Sequence, residues 1–412
     1  MLAHLSSLLL FCVVAVSASP IANRDTLTCG MSFTRRFKYN GTTTLRDIDR
    51  ARASQLLANA KNNNVKTAAA SVFDVSATNG AVEYTVSTGI GSPATYYTLI
   101  VDTGSSNTWV GADQAYVETS TSTATGQTVS VTYGSGSFSG NEYTDDVTLS
   151  SGFTITAQSI GVATESSGFS GVDGILGIGP QDLTCGTLSS DTSACIPTVT
   201  DNAYSQGLIT ADEVGISFEP TTSVSDTNGE ITFGGVDSSK YTGTLTYTAI
   251  TTTEPASEYV GIDQTVTYGT SDTEILTSSA GIADTGTTLI LLSPSAYDRY
   301  ESATGSTYDD NTGLLRLTTA EYDNLESLNF NIGGTTYEFT ANAQIWPRSL
   351  NEDIGGTSEY VYLIVNDLGD TAETGFEFIN GMTFLERFYF VYNSGSSEVG
   401  FATTSYTTAT TN

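Results

Sequence analysis

The stretch Leu99-Ile100-Val101-Asp102-Thr103-Gly104-Ser105-Ser106 returns 182 residues later as Gly281-Ile282-Ala283-Asp284-Thr285-Gly286-Thr287-Thr288. Each copy is an apolar strand end, then Asp-Thr-Gly, then two hydroxyl residues. A single Asp-Thr-Gly in a chain this rich in Asp, Thr and Gly is an ordinary turn. Two copies with matched flanks are an internal repeat, and the repeat carries the chemistry. Each half also holds a later element ending in glycine: Ile175-Leu176-Gly177 after the first motif and Ile379-Asn380-Gly381 after the second.

The side chains available for chemistry are few in kind. The 412 residues include 14 Lys+Arg, 45 Asp+Glu and one histidine, for a net charge of −31. That histidine is His4, inside an apolar leader, so the processed chain is expected to have none. Ser-His-Asp and Cys-His nucleophile systems and His-ligated metal sites are thereby excluded. The negative charge repels phosphate backbones and anionic lipid surfaces, so neither nucleic acid nor membrane is an expected partner. Carboxylates and hydroxyls remain. With 39% hydrophobic and 10% aromatic residues and a mean hydropathy of −0.06, the chain still has the material for a core.

Charge and texture divide the chain. Residues 8–16 are a short apolar run followed by Ser17-Ala18 and Ser19-Pro20, the pattern of a secretory signal peptide over 1–18. No later run reaches the ~20 apolar residues of a transmembrane helix, and the Thr-rich tail lacks a lipid-anchor signal. The product is expected to be exported and extracellular, with the vacuole as the alternative. Nine basic against three acidic residues up to position 66 give +6, and five against 42 afterwards give −37. A basic pro-segment over 19–70 ahead of an acidic body suggests an electrostatic cover, held at neutral pH and released by acid. The other reading of residues 44–64 is a solvated helix with no covering role. From about Ser71 the texture is β, with Val82, Tyr84 and Val86 alternating with polar residues. Short helices are expected after Ser293-Pro294 and from Thr318-Thr319-Ala320-Glu321 toward Leu325 and Leu328. Cys12 falls in the leader and Cys29 in the basic segment, leaving Cys185 and Cys195 to form a disulfide across a surface loop. The only glycosylation sequon is at Asn40, in the pro-segment.

From about Ser71 to Ala402 the chain resembles the pepsin family of aspartic proteases, and within it the secreted fungal enzymes of the polyporopepsin type. The resemblance rests on both Asp-Thr-Gly motifs, Ile196-Pro197-Thr198-Val199, Gly234-Gly235-Val236-Asp237 and Phe388-Tyr389. It implies a mainly β, bilobal fold with a few short helices. The lobes, 71–236 and 237–412, are related by a pseudo-twofold axis and meet at a deep cleft. It implies a monomer acting on proteins and peptides, open to pepstatin-like inhibitors, with no cofactor and no metal. One catalytic aspartate comes from each lobe, Asp102 and Asp284. Thr103 and Thr285 lock the two loops together, and Ser105 and Thr287 hydrogen-bond the aspartates' outer oxygens. Val131-Thr132-Tyr133-Gly134-Ser135-Gly136-Ser137 resembles the flap that closes over substrate, with the Tyr133 hydroxyl meeting the indole N–H of Trp109.

Physical reasons for the pattern stand beside the resemblance. Two carboxyl groups a few ångströms apart cannot both ionise cheaply and so hold one proton between them. Aspartic proteases are the standard example of that arrangement. One carboxylate takes a proton from water while the other, as the acid, polarises the scissile carbonyl. Gly104 and Gly286 let backbone amides approach the carboxylates. Ile100, Tyr133, Phe169 and Ile175 are candidates for an apolar pocket favouring large hydrophobic residues at the cut, although each is equally a core residue. Ser135 stands where lysine-accepting relatives carry an acid. Several features depart from the family pattern. Asn380 replaces an aliphatic residue and Met382 an Asp, and the second-lobe disulfide is absent. Asn380 is expected to loosen the support beneath Asp284. The family's dyad-blocking lysine would be Lys61 or Lys66. The acidic run Asp309-Asp310-Asn311 reads as a solvated loop rather than a calcium site.

Overall fold

In the computed structural model the described residues are 28–37, 43–63, 82–134, 136–369 and 376–412. The expected signal peptide, Asn40, Lys66, Ser135 and the side chain of Lys61 lie outside them. The architecture is mostly β and two-lobed. A thirteen-stranded sheet draws strands from both halves of the chain, a seven-stranded sheet comes wholly from the second half, and a three-stranded sheet completes it.

Each Asp-Thr-Gly copy sits at the end of a strand buried on both faces. The first strand, Thr95–Asp102, begins half-exposed and ends with four buried residues. There it pairs in parallel with Gly174–Gly177, bringing Asp102 opposite Gly177. The second, Thr273–Ala283, pairs in parallel with Phe378–Asn380, bringing Ala283 opposite Asn380. Parallel pairs buried on both faces call for continuous apolar runs, which explains why Leu-Ile-Val and Gly-Ile-Ala precede the two aspartates. The repeat in sequence is therefore a repeat in topology.

The basic N-terminal segment is built into this framework. Its strand Cys29–Phe37 lies inside the large sheet, antiparallel to Ser225–Phe233 on one side and Val82–Ile90 on the other. Phe33 is buried against Tyr84 and Phe218, and Arg35 forms a buried ion pair with Glu386 at 3.2 Å. Its helix, Leu45–Asn63, buries Leu45, Ala53, Leu56, Leu57 and Ala60. The helix is docked, which disposes of the solvated-helix reading. Five of the seven ion pairs among the described residues join arginines of this basic segment to the rest of the chain. Arginines of this basic segment thus supply most of the counter-charge found in ion pairs among the described residues.

Elsewhere the expected local signals hold with shorter reach. Thr318 and Glu321 form a reciprocal capping box, but the helix they start ends at Tyr322, and Leu328 already opens a strand. Pro294 opens the helix Pro294–Thr304, while the Ser293 side chain makes no cap. Cys185 and Cys195 are joined as a disulfide, and Cys29 is free. Asp309 is buried rather than solvated: it accepts from the Asn311 and Thr312 amides and pairs with Arg316. Among the described residues no helix is long and apolar enough to cross a membrane.

Candidate active site

The two repeat loops meet in a nearly twofold-symmetric arrangement. The Thr103 amide donates to Thr285 Oγ1 and the Thr285 amide to Thr103 Oγ1, each at 3.0 Å. Each threonine hydroxyl then donates across to the opposite strand end: Thr103 to the Ala283 carbonyl at 3.4 Å and Thr285 to the Val101 carbonyl at 3.0 Å. Four buried hydrogen bonds tie one half of the molecule to the other directly beneath the aspartates. A buried threonine hydroxyl needs a partner, and here each threonine finds its partners in the other copy.

Both aspartates are held in the same way. Asp102 Oδ1 accepts the Gly104 amide at 2.9 Å and Oδ2 the Ser105 hydroxyl at 2.6 Å. Asp284 Oδ1 accepts the Gly286 amide at 3.0 Å and Oδ2 the Thr287 hydroxyl at 2.5 Å. The glycines are sterically required. A Cβ on Gly104 would stand 2.7 Å from Asp284 Oδ1, and one on Gly286 would stand 2.7 Å from Asp102 Oδ1. Neither carboxyl could approach the other loop past a side chain.

Between the carboxyls lies a cation. Arg52, from the helix Leu45–Asn63, donates through Nη2 to Asp102 Oδ1 at 2.6 Å and to Asp284 Oδ1 at 2.9 Å, and through Nε to Asp284 Oδ2 at 2.6 Å. The planar, forked guanidinium suits two carboxylates at once. This corrects the expectation of Lys61 or Lys66: the docked face of the helix presents its Arg52 turn to the dyad. The electrostatics follow. Burial disfavours charge on Asp284, but the guanidinium overrides it and holds that carboxyl below the usual range. Burial pushes Asp102 upward against the same guanidinium, and the guanidinium's own pKa is raised by the two carboxylates despite its burial.

Two further groups escaped the sequence reading. Asp49, one turn before Arg52, is buried and accepts the amides of Thr288 (3.3 Å) and Leu289 (2.7 Å), just past the second motif. Its burial raises it to about 7. Tyr259 donates its hydroxyl to the Leu56 carbonyl of the same helix at 2.6 Å. Neither carries a local motif. The one available signal was the Asp49/Arg52 spacing, which places both on one helix face.

The flap is a hairpin of Thr123–Tyr133 and Gly136–Ser150. Its tip rests on the helix Leu45–Asn63, where a Cβ on Gly134 would fall 1.9 Å from Arg52 Cα, and Asn59 Nδ2 donates to the Thr132 carbonyl. The Tyr133 hydroxyl and the Trp109 indole nitrogen are both buried, and neither completes a hydrogen bond. They lie close enough for the indole N–H to act on the phenol, but the hydrogen bond is not completed. Ile100, Trp109, Tyr133, Phe169 and Ile175 are gathered in one apolar cluster, separate from the main core. In it Trp109 stacks on Phe138 (4.2 Å between centroids) and meets Phe169 edge-on (4.8 Å).

Asn380 does not loosen the second loop. Its carbonyl accepts the Asp284 amide at 3.1 Å, and its side chain forms a reciprocal amide pair with Gln264, donating at 2.8 Å and accepting at 3.3 Å. The buried polar group is satisfied, so it imposes no desolvation penalty of the unpaired kind. Met382 is buried in the short helix that follows.

Two β lobes locked together under a pair of convergent aspartates define an aspartic protease. The chain belongs to that class: residues 83–404 match the eukaryotic aspartyl protease family, and the protein is an aspartic-type endopeptidase. Polyporopepsin of Irpex lacteus is 65% identical over 338 residues, 82% of this chain and 99% of the relative. Pepsin A of Sus scrofa is 30% identical over 339 residues, 78% of this chain and 81% of the relative. The crystal structure of an aspartic proteinase from Irpex lacteus is similar to this one with a TM-score of 0.80 at 56% identity. It covers 93% of this chain and 100% of that one.

Proposed function

We propose that this chain is the zymogen of a secreted endopeptidase that hydrolyses peptide bonds in acid with a water activated between Asp102 and Asp284. The observation that carries the reading is the convergence of the two Oδ1 atoms on one guanidinium nitrogen. With Arg52 withdrawn, nothing cationic balances the two carboxyls, and they retain one proton between them. The ionised member accepts a proton from the water, and the protonated member donates to the carbonyl oxygen of the scissile bond. Attack by water needs no covalent intermediate, which suits a site without Cys or His. The Gly104 and Gly286 amides and the Ser105 and Thr287 hydroxyls hold the carboxyls in place throughout. We take 19–70 as the pro-segment and 71–236 and 237–412 as the lobes of a monomeric enzyme. Export to the extracellular space, or alternatively to the vacuole, rests on the leader. Acid treatment followed by a protein-digestion assay, with and without pepstatin, tests the activity. Digestion that appears in acid and is stopped by pepstatin supports the reading, and pepstatin-resistant digestion opposes it.

The apolar cluster around Ile100, Tyr133, Phe169 and Ile175 supports a preference for large hydrophobic residues at the cut. None of these residues bears a charge to meet an ammonium group, and Ser135 supplies none at the flap tip. In a fluorogenic peptide series, cleavage after Phe or Leu is expected to exceed cleavage after Lys by at least about tenfold, the cost of leaving one charge poorly solvated. Equal rates would overturn this assignment.

The processed body is expected to melt at a lower temperature near pH 7 than in mild acid. Burial raises both Glu142 and Asp212 to about 7. A carboxyl whose folded pKa is raised stabilises the fold below its unfolded pKa, and that stability is lost as pH climbs through the folded value. The window therefore runs from about pH 4 to 7. Loss of the pro-segment arginines adds self-repulsion in the same direction. A melting series flat or rising over that window would contradict this.

A further inference from the structure

The helix Leu45–Asn63 grips the second half of the chain at more than the dyad. Six residues before Arg52, the Arg46 guanidinium lies over the Tyr308 ring, 4.9 Å from its centroid. It donates through Nη1 to the Tyr308 hydroxyl at 2.8 Å and through Nη2 to Asp367 Oδ2 at 3.5 Å. Arg50 reaches the same Asp367 oxygen at 3.6 Å. Tyr297 completes the surroundings. It is 7% exposed, and its hydroxyl is buried and makes no hydrogen bond. Burial pushes its phenol up, and the charges of Glu301, Arg46 and Asp367 also act on it, which places it beside the same guanidinium. An aromatic face, a second phenol and a carboxylate thus surround one cation, and such a set recognises a cation through ring and charge together.

These groups stand on elements that continue from the second catalytic loop. Asp367 ends the strand Val365–Asp367, which runs parallel to Ile290–Leu292 with Leu292 opposite Asp367. Tyr297 belongs to the helix Pro294–Thr304 and Tyr308 to the strand Thr307–Asp309 that follows it. Asp367 Oδ1 accepts the Gly369 amide at 2.8 Å, which fixes the carboxylate and leaves Oδ2 to the guanidinium groups. From Arg52 through Asp49 to Arg46, the helix touches Asp284, then Leu289, then Asp367. Six residues of helix span ~9 Å, the length of about three residues of extended chain. None of the three surrounding groups belongs to the helix. Tyr308 is 38% exposed even with Arg46 over it.

We propose that Tyr297, Tyr308 and Asp367 form a subsite for an arginine or lysine side chain of the peptide substrate, about three residues from the scissile bond, and that Arg46 fills it in the precursor. The inference rests on the protease reading and on withdrawal of the helix. Withdrawal takes both arginines from Asp367 and leaves its Oδ2, the Tyr308 face and the Tyr297 hydroxyl to a new cation. The subsite differs in kind from the apolar cluster around Phe169, because it selects a charge at a distance from the cut. Arginine is favoured over lysine, since its planar group stacks on a ring while its N–H groups reach a carboxylate. A contact so far from the reacting atoms is made equally in the ground and transition states, so it acts on KM rather than on kcat.

The test is a peptide series cut by the acid-processed enzyme at pH 5, with the cut site read by mass spectrometry. The parent peptide has Phe at the cut and alanine at the second, third and fourth residues on either side. Each alanine is replaced singly by arginine, lysine or glutamate. At one of these positions arginine is expected to raise kcat/KM over alanine by about fivefold, mainly through KM, with lysine gaining less and glutamate losing. In Tyr308→Leu and in Asp367→Asn that arginine-to-alanine ratio should fall toward one, and Asp367→Lys should turn the preference to glutamate. No position at which arginine exceeds alanine, or an arginine gain that persists in both Tyr308→Leu and Asp367→Asn, would overturn the subsite while leaving the protease reading intact. Failure of the wild type to cut even the parent peptide would instead overturn the protease reading on which the subsite rests.

Discussion

Replacing Arg52 with methionine should raise the precursor's cleavage of a peptide substrate, measured near pH 5.5 before any processing, by about 100-fold. Removing one partner of a buried ion pair costs about 3–5 kcal/mol, and here the cost falls on the state with the helix docked. Methionine keeps an unbranched apolar stem but ends short of the guanidinium, leaving Asp102 and Asp284 facing each other without a cation. Arg52→Lys should fall between the two, because an ammonium cannot reproduce the forked contact made through Nε and Nη2.

The pH dependence of release follows from three carboxyls that do not all act in the same direction. Asp284 lies below its usual range while the helix is docked. Its contribution to docking is present above its free pKa and is lost as pH falls through the docked value. Asp49 lies near 7 when docked, so its contribution grows as pH falls and opposes release. Asp102 remains buried in either state, and docking adds the Arg52 guanidinium, which lowers it, so Asp102 acts in the same direction as Asp284. Acid release therefore depends on protonating Asp284 in its ion pair, below about pH 4. Arg52→Met removes that requirement, and the pH at which the precursor processes itself should move upward by about one unit. An Arg52→Met precursor as silent as wild type, and processed at the same pH, would refute the account of how the cleft is closed.

The second large effect belongs to the dyad itself. Asp102→Asn and Asp284→Asn should each lower kcat/KM of the processed enzyme by at least about 1000-fold, the scale of a positioned general acid or base. Asparagine keeps the shape and still accepts the Gly104 or Gly286 amide, so the fold should survive, as a melting curve will show. What is lost is the shared proton. Because the two carboxyls act as one titrating unit, the double variant should be scarcely worse than either single one. Losses that multiplied would mean that the carboxyls act independently.

What the sequence made legible is local, and what it concealed is long-range. Both catalytic loops could be read because each fits within eight consecutive residues and occurs twice. Thr103 and Thr285 found each other because the second copy carries the same grip. The identity of the blocking cation was not legible, because it depends on which turn of the helix Leu45–Asn63 meets the dyad. Burial of Leu45, Ala53, Leu56, Leu57 and Ala60 sets that turn, and their partners lie across the whole chain. Asn380 looked like a weakness for the same reason: its partner, Gln264, is 116 residues away. The capping box at Thr318 was readable, but the end of its helix was not. The chain leaves the helix in a turn after Tyr322 and opens a strand at Leu328.

The most direct test of the central claim is one assay. Wild-type and Asp102→Asn precursors are acid-treated side by side and given a protein substrate, each with and without pepstatin. The account predicts digestion by wild type that pepstatin abolishes, and none by Asp102→Asn. Digestion that survives both the inhibitor and the substitution would mean that the bond is cut by something other than these two aspartates.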